Sequence, residues 1–163
     1  MKKLLSLALA SAMVLSLAAC GGGNPGGSTP GNPTGSGSAA GDKVVKIGVF
    51  EPQSGDNGSG GKQEILGMQY ANEKTPTVEI GGETYTVELV YAANQSSNDK
   101  APSAAQTLVA GGVSIVLGSY GSGVSIAASD TFGDAGVPAI GVTCTNPQVT
   151  AGNSHYFRIC FLD

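Results

Sequence analysis

The sequence predicts an α/β domain built on a doubly wound, mostly parallel sheet, and three observations carry that prediction. Strand-like and helix-like runs alternate from residue 44 to residue 159, the pattern of consecutive βαβ units with right-handed crossovers. The first strand-like run, Val44-Val-Lys-Ile-Gly-Val-Phe50, has enough apolar residues to be buried on both faces, as strands of parallel sheets are. Two later runs, Ser114-Ile-Val-Leu117 and Pro138-Ala-Ile-Gly-Val142, are short, apolar and each followed by a small polar loop and a helical segment.

The elements justify themselves in order. After the first strand, residues 51–60 form a polar loop. Residues 61–74 then show helical spacing through Ile65, Leu66, Met68 and Tyr70. Gly81-Gly82 sits between Val78-Glu-Ile80 and Thr84-Tyr-Thr-Val-Glu-Leu-Val90, a two-residue hairpin signal leading into the second core strand. Residues 98–110 read as an amphipathic helix capped by Asn98 and stopped by Gly111-Gly112. The strand at 114–117 leads into Gly118-Ser-Tyr-Gly-Ser-Gly123, with Ser122 expected at the N-cap of the next helix. The strand at 138–142 leads into Thr143-Cys-Thr-Asn-Pro147, with Thr145 and Asn146 ahead of a helical turn. Tyr156-Phe-Arg-Ile159 is the final strand.

The first 42 residues carry a different message. Met1-Lys-Lys3 is a basic start, and residues 4–17 are an apolar run of 14 residues, too short to span a bilayer but right for a secretory signal. The run ends Leu17-Ala-Ala-Cys20-Gly21, which resembles a bacterial lipoprotein lipobox. The resemblance implies a signal peptide over residues 1–19 and lipidation of Cys20; two acyl chains on one cysteine bury enough methylene groups for stable anchoring. Residues 21–41 hold nine glycines, three prolines and no charge, so the stretch 20–42 is expected to be a lipidated cysteine and a flexible linker. Its root-mean-square reach is roughly 25 Å. Residues 43–163 remain for one folded domain.

Composition excludes several classes. Without Lys2 and Lys3 the chain has six basic residues against twelve acidic ones, a net charge near −6. An acidic domain without a basic cluster is a poor match to nucleic acid, whose phosphates demand Lys and Arg. One histidine, His155, cannot build a metal cage alone, and with no Trp and nine other aromatics, stacking platforms are not expected. No metal or cofactor is expected.

The two loops hold the chemistry. Each delivers a hydroxyl, Ser122 or Thr145, beside a helix start, where free N–H groups and the helix dipole favour an anion. In open parallel sheets, ligands sit beyond the carboxyl ends of the strands. Either hydroxyl taken alone is equally a plain cap.

Phosphate-loop and catalytic patterns fail. A Walker-type reading of 55–62 puts Asp56 where the first glycine belongs and Gln63 where the magnesium-binding hydroxyl belongs. In the loop at 118–123, a dinucleotide reading puts Ile126 at the third glycine. Neither loop contains G-x-S-x-G, and no paired carboxylates accompany the lone histidine, so acid–base or triad catalysis has no cast. Binding without chemistry, and no enzyme, is the expectation.

Lys46-Ile-Gly-Val-Phe50, Ser54-Gly55, Gly67, Val116-Leu-Gly118, Gly136-Val-Pro-Ala-Ile140, Thr145-Asn-Pro147, Tyr156-Phe-Arg158 and Leu162-Asp163 occur in an order that resembles the first lobe of branched-chain-amino-acid-type solute-binding proteins of ABC transporters, the type I periplasmic binding protein fold. The resemblance covers nearly all of 43–163. It implies an extracytoplasmic, membrane-tethered lipoprotein that captures an amino acid, branched-chain or similar, and delivers it to ABC permease subunits in the membrane. It also implies residue roles. Ser122 and Thr145 match the hydroxyls that hold the ligand α-carboxylate, and Asp163 matches the acid that holds the α-ammonium through charge-assisted hydrogen bonds. Tyr120, Gly121, Thr143 and Cys144 would line the same mouth.

Some positions depart from the family pattern. Many members carry an aromatic residue in the first loop where this chain has Gly60, and some carry a disulfide at positions that are Ser96 and Gly121 here. Cys144 and Cys160 form an even pair in an exported protein, which suggests a disulfide closing about 15 residues and contributing about 3 kcal/mol. Family members continue into a second lobe, so the chain is expected to be an N-terminal fragment with exposed apolar surface and weak ligand binding. The alternatives are the ligand-binding module of an extracellular sensor, or an exported Rossmann-like enzyme whose catalytic part lies elsewhere.

Overall fold

The computed structural model describes residues 43–163; the signal segment, Cys20 and the Gly/Pro/Ser linker lie outside the described residues. Six strands form one sheet in the order β2-β3-β1-β4-β5-β6. β1 (Val44–Glu51) lies parallel to β3 (Glu83–Ala93) on one side and to β4 (Ile115–Leu117) on the other. β5 (Ala139–Gly141) and β6 (Tyr156–Arg158) continue the parallel run. β2 (Thr77–Ile80) is the antiparallel exception. Its two-residue turn to β3 uses Gly81 and Gly82, both at positive φ (61° and 82°), which a tight hairpin turn of this hand requires and only glycine adopts freely. The doubly wound, mostly parallel sheet matches the sequence expectation.

α1 (Gly58–Lys74), α2 (Ala101–Ala110) and α3 (Ser122–Asp134) connect the strands. α1 starts three residues earlier than the sequence implies. Its first turn is Gly-Ser-Gly-Gly, a loop signal locally, yet the missing side chains are what let the turn pack: a Cβ on Gly61 would lie 2.1 Å from the Pro52 carbonyl oxygen. Of the helical set read from the sequence only Ile65 is buried, while Leu66 and Tyr70 are exposed. α2 starts three residues later than the expected Asn98 cap. With Asn98 as cap, Pro102 would fall at the fourth helical position, where its missing N–H would cost an intrahelical bond. Starting at Ala101 puts Pro102 in the first turn, where no donor is needed.

The core lies where α2 and α3 meet the sheet. Ala101, Ala104, Ala105 and Leu108 form the buried stripe of α2 at helical spacing, and Val124, Ala128 and Phe132 that of α3. They close on Phe50, Val116, Ala139 and Tyr156 from the strands. Phe50 and Phe132 meet edge to face with centroids 5.4 Å apart. Such a pair contributes about 0.5–1.5 kcal/mol beyond its burial, and each buried large side chain roughly 1.5–3 kcal/mol.

Candidate functional site

The carboxyl ends of β1, β4 and β5 converge on one rim. The loop after β4, residues 118–121, is held from beneath by buried groups. The Tyr156 hydroxyl donates to the Gly118 carbonyl at 2.7 Å, and Asn94 Nδ2 donates to Ser119 Oγ at 2.9 Å. Ser119 N–H donates to Ser125 Oγ at 3.2 Å, and the Cys144 thiol donates to the Ser119 carbonyl at 2.8 Å. Asn94, Ser119, Ser125 and Cys144 are all fully buried. Burial in that setting pushes the Cys144 thiol up to about 11 and the Tyr156 hydroxyl well above its usual value, so both stay protonated donors.

Glu51 ends β1 inside the protein, 1% exposed. Its Oε2 accepts the Tyr120 N–H at 2.7 Å. Burial, and then the neighbouring Glu64, push its carboxyl up to about 10, so it is a neutral acid at physiological pH. A Cβ on Gly118 would lie 2.4 Å from Glu51 Oε1; only a glycine lets the loop backbone cross the carboxyl this closely.

The loop opens into α3. Ser122 is the first helical residue rather than the N-cap, which is Gly121 at φ 110°. No side chain caps α3, so its first N–H groups have no partner within the helix. Ser122 Oγ instead accepts the Asn146 N–H at 3.2 Å, tying this loop to the one after β5. There Asn146 is the cap, its Oδ1 accepting the Gln148 N–H at 2.8 Å ahead of the 3₁₀ turn Pro147–Val149. Thr145 Oγ1 donates to Asp163 Oδ2 at 2.7 Å. Arg158 Nη1 reaches the carbonyls of Asn146, Thr145 and Cys144 at 2.9, 3.2 and 3.5 Å. Thr143 Oγ1 donates to Glu64 Oε1 at 2.6 Å.

Thr145 and Asp163 are thus hydrogen-bonded to each other, and Ser122 is bonded to the backbone of Asn146, the residue after Thr145; Gly121 and Thr143 lie on the same two loops. Tyr120 is 36% exposed, and its ring occupies the space over Gly60, where a Cβ would lie 2.5 Å from the ring. Cys144 departs from the expectation that it lines the mouth. It is fully buried and points at Ser119 and Ser125 beneath the loop. The expected Cys144–Cys160 disulfide is likewise not formed: both are free thiols, Cys144 spending its sulfur on the Ser119 carbonyl. Among the described residues no three His, Cys, Asp or Glu side chains gather as a metal site. A hollow of about 500 Å³ is lined by Val44, Gln69, Glu73, Leu89 and Tyr91 from β1, α1 and β3, not by these loops.

Glu51, Glu64, Asn94 and Arg158 escaped the sequence reading. An acid ending the apolar run Val49-Phe50-Glu51 was the available signal for the first. The others are placed by partners far away in sequence.

A periodic pattern of loops at strand ends fits many ligands, and comparison with known proteins narrows it. The model of the periplasmic binding protein family matches residues 44–160, well over half of the chain. The chain belongs to the periplasmic binding protein family. It is 33% identical over 121 residues to a Leu/Ile/Val-binding protein homolog 2 of Brucella abortus, covering 73% of this chain and 32% of that protein. Among solved structures, the family lobe is similar to the leucine binding protein LivK of Thermotoga maritima, with TM-score 0.68 and 34% identity over 74% of this chain and 33% of that one. It is also similar to LivJ of Streptococcus pneumoniae, a branched-chain amino acid transporter substrate binding protein in complex with isoleucine. There the TM-score is 0.66 and the identity 31%, over 74% and 34% of the two chains. The chain spans about a third of the length of the relatives it matches. Its sheet is that of a type I periplasmic binding protein lobe.

Proposed function

We propose that residues 43–163 form the N-terminal lobe of an extracytoplasmic solute-binding protein that captures an amino acid, branched-chain or similar, and delivers it to the permease of an ABC importer. The observation that supports this reading is the Thr145–Asp163 pair on the loop adjoining Ser122, which is bonded to the residue after Thr145. A zwitterion needs donors for its carboxylate and an acceptor for its ammonium. Ser122, Thr145 and the uncapped N–H groups of α3 are the donors; Asp163 is the acceptor. The complex of LivJ with isoleucine supports a branched-chain ligand.

The lobe works as a binder and not as an enzyme. Its buried thiol is held protonated beneath the loop after β4, so it is not prepared as a nucleophile. Upstream, residues 1–19 act as a signal peptide. Lipidated Cys20 anchors the protein to the outer face of the cytoplasmic membrane, and residues 21–42 let the lobe reach the permease.

An NMR titration of the chain with isoleucine tests the site. The amides of Ser122, Thr145 and Asp163 should shift together at millimolar ligand, since one lobe supplies only part of the contacts. Shifts confined to other surfaces, or none, would sink the reading. Replacing Cys20 by Ala should release the exported protein from the membrane fraction.

A further inference from the structure

We propose that Glu51 and Glu64 share a single proton, and that this shared proton fixes the two loops flanking the site, one at Tyr120 and the other at Thr143. Glu51 Oε1 and Glu64 Oε2 are both buried and find no donor, and Glu64 is the neighbouring acid whose side chain acts on Glu51. Two facing carboxylates repel, and no Lys, Arg or His among the described residues pairs with either. One proton resolves all of this. Glu51 donates O–H to Glu64 Oε2, and both orphaned atoms are satisfied.

Each carboxyl has its remaining oxygen committed to a site loop. Glu51 Oε2 takes the Tyr120 N–H at 2.7 Å, and Glu64 Oε1 takes the Thr143 hydroxyl at 2.6 Å. The end of β1, α1, the loop after β4 and the loop after β5 are therefore clipped together by four oxygens and one proton. The proton resides on Glu51, which is 1% exposed. The other titratable groups that feel Glu51 are Cys144 from the loop after β5 and Tyr156 from β6, both kept neutral chiefly by burial. Glu51 and Glu64 are positioning residues. They rest on the amino-acid reading only in that the loops they hold are the proposed ligand loops.

Infrared spectroscopy of the unaltered chain near neutral pH should show a protonated carboxyl C=O stretch that Glu51→Gln lacks. Folding binds a proton that the unfolded chain releases, because Glu51 rises from 4.5 to about 10. The sign follows: stability is greatest below the unfolded value and falls as pH rises toward the folded one. Between about pH 5 and pH 9 the unfolding constant should grow by up to about tenfold per pH unit through this group. Glu51→Gln, which keeps a donor and an acceptor in the same shape, should remove that slope and leave the Tyr120 and Thr143 amide resonances in place. Glu51→Ala should shift both resonances, and if it does not fold, the infrared band of the unaltered chain still decides. A missing band, or a slope unchanged by Glu51→Gln, overturns the shared proton whether or not isoleucine binds. Absence of isoleucine binding with band and slope intact instead counts against the amino-acid site alone and leaves the clip standing.

Discussion

Thr145 and Asp163 are doubly joined: the Thr145 hydroxyl donates to Asp163 Oδ2 at 2.7 Å, and the Asp163 N–H donates to the Thr145 carbonyl at 3.2 Å. A residue beyond the last strand is thereby laid along the loop after β5. The proposed partners of a ligand carboxylate and a ligand ammonium thus hold each other in the free lobe.

Removing either partner should separate binding from stability. Asp163 is exposed, so Asp163→Asn and Thr145→Val should change unfolding free energy by no more than about 0.5 kcal/mol. Each removes a charge-assisted bond to the proposed ligand, worth about 1.5–3 kcal/mol. The isoleucine concentration for half-maximal NMR shift should then rise at least tenfold. Unchanged titration curves would remove both residues from the site.

Neighbouring glycines of α1 should respond in opposite directions to alanine. Gly67 has nothing within 4 Å of a new Cβ, so Gly67→Ala should stabilise by about 0.5–1 kcal/mol through helix propensity. Gly61→Ala sets its Cβ 2.1 Å from the Pro52 carbonyl oxygen, a backbone atom. The clash outweighs the same propensity gain and should destabilise by about 1–3 kcal/mol. Urea melts of the two variants give the comparison directly.

Gly60→Ala should move the Tyr120 ring rather than unfold the protein. The obstacle is the ring, 2.5 Å from the new Cβ, and it is 36% exposed and free to swing outward. Tyr120 ring resonances should shift while the melt stays within about 1 kcal/mol, the helix gain offsetting part of the lost packing. A large drop in stability would show that the ring is held more firmly than its exposure implies.

The two thiols should differ in reactivity. Cys144 is buried, bonded to Ser119 and Ser125, and pushed up to about 11; Cys160 is half-buried. Alkylation near pH 8 should label Cys160 first and Cys144 only as the fold opens. Cys144 and Cys160 should both be labelled after denaturation without reductant; recovery of a bridged peptide would restore the disulfide expectation.

Arg158→Met should loosen the loop after β5. One guanidinium nitrogen serves three carbonyls, and leaving them unserved costs roughly 1–3 kcal/mol. Faster amide exchange at Asn146 and Gln148 than elsewhere in the chain would confirm that the loss is local.

Short stretches of sequence already specify the alternation of strands and helices, the glycine hairpin, the parallel core and the two loops that carry Ser122 and Thr145. All of these are written in residues within a few positions of one another: apolar periodicity, turn glycines, β-branched runs. Long-range packing supplies the rest. It alone made Gly58 to Gly61 a helical turn, because their value is the space they leave for Pro52 and Tyr120. It moved the start of α2 to suit Pro102, turned Cys144 inward, and gave Ser122 a partner in the neighbouring loop instead of its own helix. It also joined Glu51 to Tyr120 across 69 residues and Thr143 to Glu64 across 79. Hydrogen bonds and close approaches of that span depend on which strands lie side by side, and no local periodicity encodes that.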